Sequence, residues 1–337
     1  MHLVPATDAQ KAERDALTYT EWGSLLTPEA YAAREHRLRA HAWSRADMRT
    51  WLLCAEDGAV LASCETFRTR SFLRDADGAR QPGDSFAIAS VFTEPHLRGR
   101  GHATHLMDLL AAELARRPRA HAALLFSDVG PRLYARSGYL PQPAWDWHLP
   151  PSPTPPPDVQ ALPRASGLGP VLARLRPPED AFSFWPTPEQ LDWHLERGRI
   201  YAEQLGRAQP PSLGAARGTD TLVWSFVAKS NTLVVLWFDA RSPESAHALL
   251  DAARHEAHLA GLERVVLWEE PGLEPLLATH PHARRVARPD ALPMVRPLRP
   301  EVARALEPAS GLPSGLPSGL SSGLPSGLLH VPRGLWV

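Results

Sequence analysis

The 337-residue sequence predicts a mixed α/β fold in two units. Three observations carry that reading. Apolar strand-like runs alternate with helical patterns on both sides of residue 150. Between them Pro150–Pro157 reads PPSPTPPP, a stiff extended connection. A hairpin, helix and strand then recur in the same order after it. The expected spans are 1–150 for the first unit, 151–163 for a Pro-rich linker, 164–305 for the second unit and 306–337 for a low-complexity end.

In the first unit His2–Pro5 reads as a short strand leading into helical sequence. Thr27-Pro28-Glu29 has the form of a helix start, with Thr27 as N-cap. Arg49–Ala55 and Val60–Phe67 form a hairpin around Asp57-Gly58. That register sets Cys54 opposite Leu61 and Cys64 opposite Trp51, on different faces, so no disulfide is expected. Ser85–Thr93 is an apolar strand. In Gly101–Arg117 the residues Ala103, Leu106, Met107, Leu110 and Leu114 share one helical face, and Pro118 ends the helix. Ala122–Phe126 is the next strand, Pro131–Ser137 a short helix, and Trp145–Leu149 the last strand of the unit.

In the second unit Glu189–Leu205 is helical, and Thr221–Ala228 pairs with Thr232–Phe238. A helix over Pro243–Leu259 and a strand over Arg264–Trp268 follow. Most of the tryptophans here read as core and contacts between the units. Near the end, Gly-Leu-Pro-Ser tetrads recur between Gly311 and Ser326; such a run holds no regular element and is expected to be disordered. An apolar ending, Gly334–Val337, follows it.

Composition limits the function. Apolar residues make up 44% and charged residues 22%, values that support a packed core. The formal net charge of −1 offers no global field for nucleic acid or anionic lipid. No apolar run reaches the ~18 residues of a membrane helix. The opening residues lack the layout of a signal peptide, and two cysteines fit a reducing compartment, so a cytoplasmic setting is expected. His96, His102 and His105 surround one loop, yet no spacing resembles a closed metal site. Oligomeric state is not legible.

The sharpest chemical signal is Ser90–Ala103, SVFTEPHLRGRGHA. A strand ends, a loop opens, and glycines run into an apolar helix. Gly99 and Gly101 allow close backbone approach to an anion. The free N–H groups of Gly101, His102 and Ala103 point at it, and Arg98 and Arg100 add charge-assisted donors. This is a pyrophosphate cradle.

The sequence here resembles the GNAT superfamily of N-acetyltransferases, whose Arg/Gln-x-x-Gly-x-Gly/Ala pattern is met by Arg98, Gly101 and Ala103. The resemblance implies a GNAT-like catalytic domain using acetyl-CoA, with the pantetheine arm along Val91 and Phe92. The second unit is then expected to be a degenerate GNAT-like domain that shapes the acceptor side. Tyr134-Ala-Arg-Ser-Gly-Tyr139 matches the family's Tyr-x-x-x-Gly-Tyr/Phe ending, which implies Tyr134 as the acid that protonates the departing thiolate.

A narrower similarity is to the fungal lysine N6-acetyltransferase family. It rests on Glu21–Tyr31, Arg34-Glu35, Ala62–Phe67, Phe126–Gly130, and Trp193-His194 with Arg197. It implies a small-molecule amine acceptor, with the side chain of free L-lysine as best guess. A polyamine, an aminoglycoside, a protein amine or a catalytically silent acyl-CoA sensor stay open. The reaction needs a base. Glu65, Glu94, Asp128 and a terminal carboxylate on Val337 are the candidates, Glu65 and Val337 foremost. The second unit lacks a glycine loop where its helix starts, at Asp239–Glu244, and is not expected to bind a second CoA.

Overall fold

A computed structural model describes residues 1–164, 167–169, 180–307, 329 and 331–337. The first half contains β1 (His2–Pro5), α1 (Asp8–Trp22), α2 (Pro28–Ala40), α3 (Ala42–Asp47), β2 (Met48–Cys54), β3 (Val60–Arg74) and β4 (Arg80–Phe92). It continues with α4 (His102–Ala115), β5 (Ala120–Ser127), α5 (Arg132–Ala135), β6 (Leu140–Pro141) and β7 (Trp145–Leu149). Beyond the linker come β8 (Gln160–Pro163), β9 (Phe182–Trp185), α6 (Pro188–Leu205), β10 (Ser212–Arg217), β11 (Asp220–Val227) and β12 (Thr232–Asp239). Then follow α7 (Pro243–Leu259), β13 (Arg264–Trp268), α8 (Leu273–Leu277), β14 (Arg284–Ala287), β15 (Leu292–Pro297) and α9 (Pro300–Leu306).

The strands form two sheets, ordered β1-β2-β3-β4-β5-β15-β6 and β14-β7-β13-β12-β11-β10-β8. The expected boundary at residue 150 therefore does not divide the sheets. Trp145–Leu149, expected to close the first unit, lies in the second sheet against β13, and β15 returns to pair with β5. The physical reason is apolar demand on both sides. In β5, Ala122 and Leu124 face one core while Ala123 and Leu125 face another, so the strand is central and needs partners at both edges. In β7, Trp147 and Leu149 are buried in the core of the second sheet.

Local signals worked as expected at several ends. Thr27 caps α2 through Ala30 N, with Pro28 in the first turn. Leu106, Leu110 and Leu114 of α4 are buried against the first sheet, each contributing about 1.5–3 kcal/mol. The Asp57-Gly58 hairpin sets Trp51 opposite Cys64, but a bulge at Leu53/Cys54 puts Cys54 opposite Val60 rather than Leu61. Both cysteines are free.

β3 and β4 run well past the expected ends, to a turn in which Asp75 Oδ1 accepts from the N–H groups of Asp77 (3.1 Å) and Ala79 (2.8 Å). The extension is polar in sequence yet buried. β9 pairs with β3, Thr69 donates to Gln190 of α6 at 2.8 Å, and Ser85 donates to Ser71 at 2.8 Å. The Pro-rich linker is pinned to α7, where Arg254 Nε donates to Pro150 O at 2.8 Å and Ser152 N donates to Arg254 O at 3.0 Å. The Gly-Leu-Pro-Ser run lies outside the described residues. No described helix is long and apolar enough to cross a membrane.

Candidate active site

β4 and β5 run parallel as far as Ile88 and Leu125, the last pair in register. Past that point they part, β4 continuing to Phe92 and β5 to Ser127. On the other edge of β4, the register with β3 jumps from Ala89 to Phe92. Ser90 and Val91 thus form a bulge without a paired residue, and Ser90 adopts a left-handed φ of 52°. Val91 and Phe92 border the resulting cleft.

The loop that follows carries two left-handed glycines and an uncapped helix start. Gly99 and Gly101 have φ values of 79° and 82°, which only glycine adopts without strain. Gly101 is the N-cap of α4 and supplies no side-chain cap, so the first N–H groups of the helix stay available to a ligand. Gly99, Gly101, His102 and Ala103 line the cavity. The two arginines are placed differently. Arg98 borders the cavity but donates to Glu21 at 2.6 Å and to Thr93 O at 3.0 Å. Arg100 is exposed and outside the cavity wall. An extended thiol arm along β4 and a pyrophosphate at the α4 terminus fit this shape.

The cavity measures about 860 Å³ and is walled by both halves of the chain. Tyr134 of α5 lies in it, and burial pushes its phenol up to about 12, so it keeps its proton at neutral pH. Tyr139 is packed in the core, edge-on to Tyr134 at 6.2 Å. Glu65 projects from β3 with its side chain 13% exposed, and Ser90 Oγ donates to its Oε2 at 3.0 Å. Burial raises the Glu65 carboxyl to about 7; nearby Arg39 opposes the rise, while Glu35 and Asp15 add to it. Arg39 holds the acidic group together, with Asp15 at 2.6 Å, Glu65 at 3.6 Å and Glu35 at 3.9 Å.

Of the other candidate bases, Glu94 is paired with Arg14 at 3.1 Å and lies outside the cavity wall. Asp128 lines the cavity and accepts from Ala291 N at 2.9 Å. Val337 also reaches the wall, carried by a single 3-10 turn at Arg333–Leu335. His194 of α6 holds that turn. Burial keeps this imidazole neutral, and since Gly334 O can only accept, Nε2 carries the proton across the 3.0 Å contact.

The residues that carried the narrower similarity converge. Glu21, Tyr31, Arg34, Glu35, Glu65, Asp128, Trp193, His194 and Arg197 all line this one cavity, although they span the linker. Sequence reasoning missed Asp15, Arg39, Tyr201, Arg333 and Trp336, which line it too. Asp15 and Arg39 look like surface charges of amphipathic helices, and only the packing of α1 on α2 turns them inward. Among the described residues no group of His, Cys, Asp or Glu could hold a metal ion.

A parallel pair that splays beside a glycine-gated helix terminus defines the GNAT type of acyl-CoA fold. The comparisons agree: residues 16–139 match the Acetyltransferase (GNAT) family, and residues 171–307 match the LYC1 GNAT-like C-terminal domain. Residues 16–139 thus belong to the GNAT acetyltransferase family, and residues 171–307 to a GNAT-like domain family. It is similar to a lysine acetyltransferase of Yarrowia lipolytica, at 30% identity over 104 residues, 31% of this chain and 26% of that protein. The match thus spans about a quarter of that relative's length. Among solved structures, a probable N-acyltransferase of unknown function from Enterococcus faecalis superposes with TM-score 0.60 at 14% identity, covering 91% of this chain and 74% of that one. Eis1 from Mycobacterium abscessus gives 0.55 at 16%, covering 88% and 74%. These two show the fold.

Proposed function

We propose that this chain is an acetyl-CoA-dependent N-acetyltransferase whose acceptor is the side-chain amine of free L-lysine. The observation that carries the reading is the cleft between β4 and β5, open at one end to the α4 N-terminus and at the other to Glu65. The cleft suits the thioester arm; a carboxyl poised near neutrality suits the amine. In the reaction Glu65 takes a proton from the acceptor ammonium. The neutral amine attacks the thioester carbonyl, the C–S bond breaks, Tyr134 gives its proton to the leaving thiolate, and the second proton of the attacking nitrogen passes to the Tyr134 phenolate as the amide forms.

The lysine assignment draws on the Yarrowia relative and on the convergence in one cavity of the residues that carry the narrower resemblance. A cytoplasmic setting fits the two unpaired thiols. The second half supplies acceptor wall rather than a second cradle. Its helix α7 is capped by Ser242, whose hydroxyl accepts from Ser245 N, so its terminus is already satisfied.

The test is acetyl-CoA consumption against a panel of amino acids, polyamines and aminoglycosides. Lysine is expected to react fastest, and Tyr134→Phe to lose about 10²-fold or more in kcat. Turnover of another amine with none of lysine would overturn the substrate; CoA binding with no acetylation of any amine would overturn the enzyme.

A further inference from the structure

The second half of the chain gives the cavity two arginines that the acetyl-transfer chemistry does not use. Arg197 comes from α6, Arg333 from the C-terminal turn, and both line the cavity. Other arginines in and around the core have carboxylate partners. Arg14 pairs with Glu94 at 3.1 Å, Arg254 with Asp251 at 2.6 Å and Arg288 with Asp146 at 2.7 Å, while Arg34 pairs with Glu35. Among the described residues, neither Arg197 nor Arg333 has a carboxylate within ion-pair distance.

Arg333 is 8% exposed, and its Nη1 is buried without a hydrogen-bond partner. Its guanidinium lies 3.9 Å from the ring centre of Trp336 and 4.8 Å from that of Trp268. The guanidinium of Arg197 lies 4.6 Å from the same Trp336 ring, beside the Tyr201 hydroxyl that accepts from Arg34. Two cations therefore share one indole in a wall of aromatic rings. The carboxylates that act on Arg333 from a distance are Asp146, already taken by Arg288, and Asp128, engaged with Ala291 N. A buried guanidinium left unpaired is costly, and an anionic ligand is what offsets it.

We infer that Arg197 and Arg333 form a carboxylate-binding subsite, so that the acceptor is an amino acid that carries its reactive amine at the far end of an apolar spacer. The inference rests on the proposed acetyl transfer and deepens it. Charge along the wall runs in the matching sense. Asp15, Glu35 and Glu65 gather at the amine end around Arg39, and the contacts continue through Arg34 and Tyr201 to Arg197. A guanidinium pair offers planar, charge-assisted donors that fit a carboxylate. Burial pushes both guanidiniums down from their ordinary range, with Arg34 adding to the effect on Arg197, and Arg197 and Arg288 adding to it on Arg333; a bound anion opposes all of these. Polyamines and aminoglycosides bring only more positive charge to this end.

The experiment compares matched acceptors, L-lysine against cadaverine and 6-aminohexanoate against hexylamine, by acetyl transfer and by calorimetric binding to the full chain. The carboxylate member of each pair is expected to win by about 10- to 100-fold in kcat/KM, mostly through KM. Arg197→Met and Arg333→Met are expected to bring the ratio within each pair towards one. Arg197, on the helix face, carries the test alone if the buried Arg333 variant does not fold. Preference for the decarboxylated amines, or an unchanged ratio in Arg197→Met, overturns the subsite while acetyl transfer stands. Arginine-dependent binding of 6-aminohexanoate without any turnover supports the subsite and overturns the enzyme reading. Absence of both binding and turnover overturns the two together.

Discussion

A side chain that strips a proton from an ammonium near neutral pH must hold a proton with comparable affinity. In the proposed reaction that side chain is Glu65, and its neighbours rather than its own strand set its proton affinity. Burial and two nearby carboxylates lift it to about 7, and Arg39 limits the rise. Only the ionised form accepts a proton, so activity should climb as pH rises through about 7. Glu65→Gln should flatten that limb and lower kcat by about 10²- to 10⁴-fold, which a kcat/KM profile between pH 5 and 9 will read. At this scale the sequence was only half legible. Glu65 was visible as a carboxylate on the strand beside the cofactor strand. Asp15 and Arg39, which set its proton affinity, lie in helices whose charge patterns look like solvated faces.

The loop from Thr93 to the start of α4 was the most legible element, because strained glycines and an uncapped helix leave a local signature. Gly101 has open space where a Cβ would stand, so the effect of Gly101→Ala is backbone strain alone, about 1–2 kcal/mol at its φ of 82°. The expected outcome is a roughly 10-fold weaker CoA dissociation constant by calorimetry, with a fall in Tm of a few degrees. The far halves of β3 and β4 were not legible. Thr69 and Ser71 are polar, and β9 and α6, which pack against them, arrive from more than a hundred residues away. The turn itself could have been found, since Asp77-Gly78 repeats the signal read at Asp57-Gly58. β15 hid behind Pro293 and Pro297, residues that argue against a strand with partners on both sides.

Across the whole molecule the chain crosses between sheets more than once. β7 leaves the first half for the second sheet, β9 returns to β3, and β15 returns to β5. No pattern of local hydrophobicity reports such an exchange, so two α/β units were legible but not their interlocking. The interlocking predicts a single cooperative transition. A fragment ending at residue 150 would expose the β5 edge and the Trp147 side chain, and it should fail to give a sharp thermal transition by circular dichroism, whereas the full chain gives one.

The low-complexity run has a consequence of its own, drawn from what flanks it. Val302 and Leu306 on one side, and Val331 and Leu335 on the other, bury in one shared cluster against β5 and β15. Chain entering the run and chain leaving it are therefore tethered at the same place. Joining two neighbouring anchors depends weakly on contour length, at about 0.6 kcal/mol per doubling. Gain or loss of a Gly-Leu-Pro-Ser unit is then nearly silent for stability and for the distant chemistry. A tract of near-identical tetrads, the third with Ser321 in place of proline, is the kind of sequence that replication slippage lengthens and shortens, and its two anchors tolerate a change of copy number.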